Sequence, residues 1–140
     1  MSAVRFEDIA VGSEFQLAVD PVTTTQLVMY AGASGDFNRI HYDQSFAEEA
    51  GLGGVIAHGM LTMAFMGRAV TDWSGEDAQV SHIAAKFTSP VRPGDVVVVT
   101  GTVSGKQPGT AGGGEVICDL VARVGERTVA TGQSRIRWGA

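Results

Sequence analysis

Cysteine is almost absent: Cys118 stands alone among 140 residues. One cysteine closes no internal disulfide and supplies no structural zinc site. Cys118 reads instead as a small buried hydrophobe on a strand. Basic residues are outnumbered, with 10 Lys plus Arg against 15 Asp plus Glu and a net charge of −5. An acidic chain with no basic run lacks the footprint of a nucleic-acid binder. It also lacks a polybasic membrane patch. No window approaches the roughly 20 apolar residues of a membrane span. Met1 to Ala10 has no apolar run after a positive start, so no signal peptide is expected, and the expected location is the cytoplasm. Neither G-x-x-x-x-G-K-[ST] nor G-x-G-x-x-G occurs, which argues against a phosphate-cradling nucleotide site. The nucleophile elbow G-x-S-x-G is missing too.

What is present is ordinary globular composition, 44% hydrophobic and 18% charged, at a length that makes one domain over residues 1–140. A short strand is expected near Phe15 to Val19, ended by Pro21. Thr23 to Gln26 has capping-box spacing and opens a helix. Gly32 and Ser34-Gly35-Asp36 are its stop signals. Residues 36–58 carry no clean period, apart from a helical turn at Ser45 to Ala50 capped by Asp43 or Ser45. A structureless stretch of this length inside a small domain is usually functional.

Gly59 to Trp73 is apolar almost all round, which predicts a buried helix wrapped on several sides. Met60, Met63 and Met66 are expected in its core rather than on a recognition surface. The later chain reads as strands. Ser81 to Thr88 places Ile83, Ala85 and Phe87 on one face, and Val96 to Val103 is rich in β-branched residues. Pro90 to Asp95 is a turn and Lys106 to Gly114 a loop. Glu115 to Val124 and Thr128 to Trp138 form a hairpin around Gly125-Glu126. The class is α+β, an antiparallel sheet curled around one long helix.

Chemistry-bearing residues concentrate in Ser34-Gly35-Asp36-Phe37-Asn38-Arg39-Ile40-His41. Asp36 and His41 are five apart, a spacing that shares no face on a straight helix but can converge on a loop. A carboxylate beside an imidazole that titrates near neutral pH can move protons around one water. Asn38 between them can brace the loop. From spacing alone, a helix stop and a core histidine explain the same residues. The second feature is Ala57-His58-Gly59-Met60 at the head of the long helix. Backbone N–H groups of a first turn lack intrahelical partners and favour an anionic oxygen. Gly59 would let a carbonyl approach, although it serves tight packing equally well. His41, His58 and His82 match no metal spacing, and no carboxylate cluster joins them, so no metal is expected.

At these two features the chain resembles the MaoC-like (R)-specific hydratase/dehydratase family. Its first block, an aromatic followed by [ST]-G-D-x-N-P-[LIV]-H, reads here from Tyr30 to His41, with Ala47 at the later small position. A second block is Ile56 to Leu61 and a third is Phe87 to Asp95, in the family's order. From Tyr30 to Trp73 the chain also resembles the β subunit of a heteromeric (3R)-hydroxyacyl-acyl-carrier-protein dehydratase. The resemblance implies a hot-dog fold and (R)-specific hydration of trans-2-enoyl thioesters carried on coenzyme A or acyl-carrier protein. It implies Asp36 and His41 as catalytic residues, Gly59 and Asn38 at the substrate, and no cofactor. It also implies a homodimer, or a heterodimer with a related hot-dog subunit. Which of Asp36 and His41 makes each proton transfer stays open, as do a hot-dog thioesterase, a noncatalytic subunit and a steroid side-chain hydratase. One residue departs from the pattern: the family proline is Arg39. A rotatable side chain replaces a fixed φ there, and the cation is free to pair with Asp43 or a substrate phosphate.

Overall fold

The computed structural model describes residues 3–139. Its five strands form one antiparallel sheet: β1 (Glu14–Ala18), β2 (Ala78–Phe87), β3 (Val97–Pro108), β4 (Gly114–Val124) and β5 (Arg127–Trp138). They lie in the order β1-β3-β4-β5-β2, so β1 and β2 are the two edges. Period-2 alternation sets the face that turns inward. Val97, Val99 and Val103 of β3 are buried, as are Val116, Cys118, Leu120 and Ala122 of β4. Against that face lies α3 (Gly59–Ser74), which buries Leu61, Phe65, Met66, Ala69 and Val70. Met66 and Val70 are wholly enclosed. Burial of one such side chain stabilises by about 1.5–3 kcal/mol.

Close approach of β1 to β3 depends on one missing side chain. Phe15 pairs directly with Gly101. A Cβ at Gly101 would fall inside the Phe15 ring. The same ring stacks on Trp73 of α3 with centroids 4.4 Å apart and planes 8° apart. The sheet edge and the helix are thus joined through one aromatic sandwich.

Several sequence expectations need correction. α3 is less enclosed than its composition predicts: Met60, Ala64, Arg68, Thr71 and Asp72 form an exposed stripe. The sheet covers one side of the helix, so apolar residues on the far side stay open. Of the three methionines only Met66 is buried, while Met60 is 55% exposed. β3 continues past Val103 to Pro108 through a register shift between Val103 and Gly105, so Lys106 to Pro108 of the expected loop are strand. Gly32 does not stop α1 (Thr24–Ser34) but sits inside it. Thr23 caps that helix as its spacing predicts, accepting from the Gln26 N–H at 3.0 Å. Among the described residues, no helix is long and apolar enough to cross a membrane.

Candidate active site

The segment between α1 and α3 is pinned at nearly every step. Gly35 ends α1 in the left-handed region, at φ 75°, where glycine carries no Cβ penalty. That turn throws Asp36 off the helix. The Asp36 N–H donates to Ser34 Oγ at 3.2 Å, and Asp36 Oδ1 accepts from the Asn38 N–H at 3.2 Å. Asn38 in turn caps a single 3₁₀ turn, Arg39–His41, by accepting from the Ile40 N–H. Asp43 caps α2 (Gln44–Glu49) through the Phe46 N–H. These are side-chain-to-backbone bonds of the kind Asp, Asn and Ser make in turns.

His41 comes out of this loop 7% exposed. Its Nδ1 lies 2.8 Å from the Ile56 carbonyl oxygen. A carbonyl only accepts, so Nδ1 carries the proton and Nε2 keeps its lone pair. Nε2 faces Asp36 Oδ2 at 3.7 Å. That gap exceeds a direct hydrogen bond. It suits one shared oxygen about 2.8 Å from each group.

Gly59 opens α3 with no side-chain cap on the helix; the Leu61 N–H turns back to the His58 carbonyl, and the Gly59 N–H before it has no intrahelical partner. Gly59 and His41 line the same cleft of about 380 Å³, together with Thr62, Phe87, Val91 and Val129. A Cβ on Gly59 would meet the Phe87 ring at 3.2 Å. The opposite wall is held by Arg127, which donates to Ser89 Oγ at 2.7 Å and to the Pro90 carbonyl at 2.6 Å. The Ala57 N–H ties the His58 segment to the Val91 carbonyl at 2.7 Å. Neither Asp36 nor Asn38 lines the cleft. Asp36 stands at its rim through His41, and Asn38 acts on the loop.

Arg39 pairs with Asp43 at 2.8 Å and lies over the Phe46 ring, 4.5 Å from its centroid. This hydrogen bond, aided by the Phe46 N–H, holds the Asp43 carboxyl below its ordinary value. The cation therefore braces the loop where proline would have stiffened it.

Spacing did not reveal His58. Its ring is 1% exposed and stacks on His41 with centroids 3.8 Å apart and planes 23° apart. Nε2 donates to the Asp36 carbonyl at 3.2 Å, and the edge of Tyr30 packs at 4.8 Å. Burial pushes the imidazole below its ordinary value, against the pull of that carbonyl bond. The one available signal was positional: a histidine occupies an N-cap, where Ser, Thr, Asp or Asn is usual. Asp36, His41 and His58 thus bring three ligand-type atoms within 4.8 Å of one another, a cluster that residue spacing did not suggest. The fit to a metal is poor, because each imidazole already gives one ring nitrogen to a main-chain carbonyl, and a single carboxylate joins them. His82 takes no part and sits on β2.

A family model described as MaoC like domain matches residues 8–124. Over 104 residues the chain is 36% identical to an (R)-specific enoyl-CoA hydratase of Rhodospirillum rubrum, covering 74% of this chain and 72% of that one. The unliganded R-hydratase PhaJ1 of Pseudomonas aeruginosa superposes with a TM-score of 0.83 at 25% identity, over 96% of this chain and 84% of that one. The mycobacterial HadBC (3R-hydroxyacyl-ACP dehydratase) complex superposes with a TM-score of 0.74 over 91% of this chain and 96% of that one. At 13% identity that last likeness is one of fold. The sheet curled on α3 is therefore a hot-dog fold, and the protein belongs to the MaoC-like domain family.

Proposed function

We propose that the chain catalyses reversible syn addition of water to a trans-2-enoyl thioester, giving the (3R)-3-hydroxyacyl thioester. The observation that carries this reading is the His41 Nε2 lone pair, 3.7 Å from Asp36 Oδ2 and on the wall of the cleft that Gly59 lines. Asp36 accepts one hydrogen of the water and orients it. His41 Nε2 takes the other as oxygen bonds to C3, and electrons move from C2=C3 toward the thioester oxygen. The Gly59 N–H stabilises that enolate oxygen. The imidazolium then returns its proton to C2 on the same face, so one water is consumed and both groups return to their starting state. The step is redox-neutral. Asn38 supports it by holding the loop.

The same reading takes the carrier to be coenzyme A or acyl-carrier protein and the setting to be the cytoplasm. It also takes the working unit to be a homodimer. The unpaired outer edge of β2, which ends at Phe87 beside the cleft, supports a second copy there.

The test is loss of enoyl absorbance from crotonyl-coenzyme A, and from a C12 enoyl thioester, with thiol release followed in parallel. Asp36→Asn and His41→Gln should each slow the loss by about 10²- to 10⁴-fold. Thiol release without hydration would make the chain a thioesterase. Unchanged rates in both variants would remove these residues from the chemistry. Hydration that appears only on adding a related hot-dog subunit would replace the homodimer with a heterodimer.

A further inference from the structure

We propose that His58 is a positioning residue for the acid–base pair, holding the Asp36 main chain through Nε2–H and setting the plane of the His41 ring by stacking. This rests on the reading of Asp36 and His41 as that pair. The argument starts from what His58 fails to do. It occupies the N-cap of α3 yet makes no capping bond. Its side chain is instead turned inward, 1% exposed, with Nδ1 lacking any hydrogen-bond partner among the described residues. An orphaned buried nitrogen is costly. Its persistence here is matched by what the rest of the ring contacts.

Three groups face the imidazole: His41 from the 3₁₀ turn, Asp36 from the loop and Tyr30 from α1. Asp36 is consequently held at both ends, its carbonyl by His58 and its Oδ1 by the Asn38 N–H. That leaves Oδ2 as the oxygen facing His41. His41 is likewise fixed twice, in its plane by the Ile56 carbonyl and across its plane by His58.

The charge state follows from the same contacts. A proton on Nδ1 would be buried with no acceptor. It would also set a cation against His41, which must itself become cationic during turnover. Desolvation already lowers the His58 affinity for a proton, and proximity to His41 lowers it further. A neutral His58 in the Nε2–H tautomer therefore lets His41 take the charge.

Two variants separate the contacts. His58→Phe keeps a ring face and loses the donor, whereas His58→Gln keeps a donor near the Nε2 position and loses the ring. Circular dichroism first verifies folding. With the enoyl thioester, His58→Phe should lower kcat about 10- to 100-fold while KM changes by less than about threefold. His58→Gln should recover part of that loss. Wild-type kcat in a folded His58→Phe, or a loss confined to KM, would overturn the proposal.

Nitrogen-15 spectra of the histidine rings give a readout that does not depend on activity. The wild-type His58 should show the Nε2–H tautomer when neutral and a midpoint below the ordinary imidazole value. His41 should keep the Nδ1–H tautomer set by the Ile56 carbonyl, and its ring resonances should shift in His58→Gln, which loses the stacked ring. An Nδ1–H His58, a midpoint near the ordinary imidazole value, or an unchanged His41 ring in the variant would each overturn the positioning role. An inactive wild type with the expected spectra would instead remove the hydratase reading and leave the positioning geometry standing.

Discussion

Gly59→Ala separates the contribution of the cleft from that of the fold. The new Cβ meets Cδ2 and Cε2 of Phe87 at 3.2 Å, so the ring must yield by a few tenths of an ångström. Phe87 is 45% exposed and can do so. Alanine also suits a helix better than glycine, by up to about 1 kcal/mol in a helix interior and less at a first position. Stability should therefore change by less than about 1 kcal/mol, which moves the melting temperature by a few degrees at most. Activity should respond differently. The methyl group sits between Phe87 and the helix, where the thioester oxygen is proposed to reach the N–H. Complete loss of one oxyanion donor costs about 10²- to 10³-fold. A donor retained but obstructed should cost about 10- to 100-fold in kcat/KM for crotonyl-coenzyme A. Thermal unfolding and the absorbance assay on one preparation give both numbers. Full kcat/KM in Gly59→Ala would refute the placement of the substrate oxygen. A collapse of stability would refute the claim that Phe87 yields.

Two further outcomes follow from the loop and the core. Arg39→Pro should retain fold and activity: Arg39 opens a 3₁₀ turn, a position that accepts proline, and Asn38 before it has ψ 123°, as a residue preceding proline requires. Arg39→Ala loses the Asp43 and Phe46 contacts with no replacement and should melt lower than both wild type and Arg39→Pro; the reverse order would refute the brace. Burial raises the Cys118 thiol to about 12, so near pH 8 the native protein should resist thiol reagents and react only as it unfolds. Rapid stoichiometric labelling of folded protein would contradict that burial.

Local signals were legible in the sequence where one short segment sufficed. Thr23 with Gln26 marked the start of α1, and the β-branched run from Val96 to Val103 marked β3. Asp43 as the cap of α2 came from the same kind of signal. The proximity of Asp36 and His41 was suggested by residue type and family pattern. The 3.7 Å geometry was not, because it depends on Ile56 reaching back to fix the His41 tautomer. His58 was noticed for its backbone neighbours rather than its ring. Its stack on His41 joins residues seventeen apart, and no local pattern encodes that contact. The exposed stripe on α3 was illegible for a different reason. Apolar composition says a face can be buried, and only tertiary packing decides whether anything covers it.

The contact of Phe15 with Gly101 also governs the routes by which this sequence can diverge. Any residue other than glycine at 101 collides with the aromatic ring, whereas a smaller residue at 15 merely loosens packing against Trp73. The two substitutions are therefore not interchangeable in order: drift can pass through position 15 first but is blocked at position 101 until the ring has gone. Recombination meets the same barrier. A chimera taking β1 from one parent and β3 from another stays sound only if the incoming pair matches. The two sites form a single heritable unit although they stand 86 positions apart in the chain.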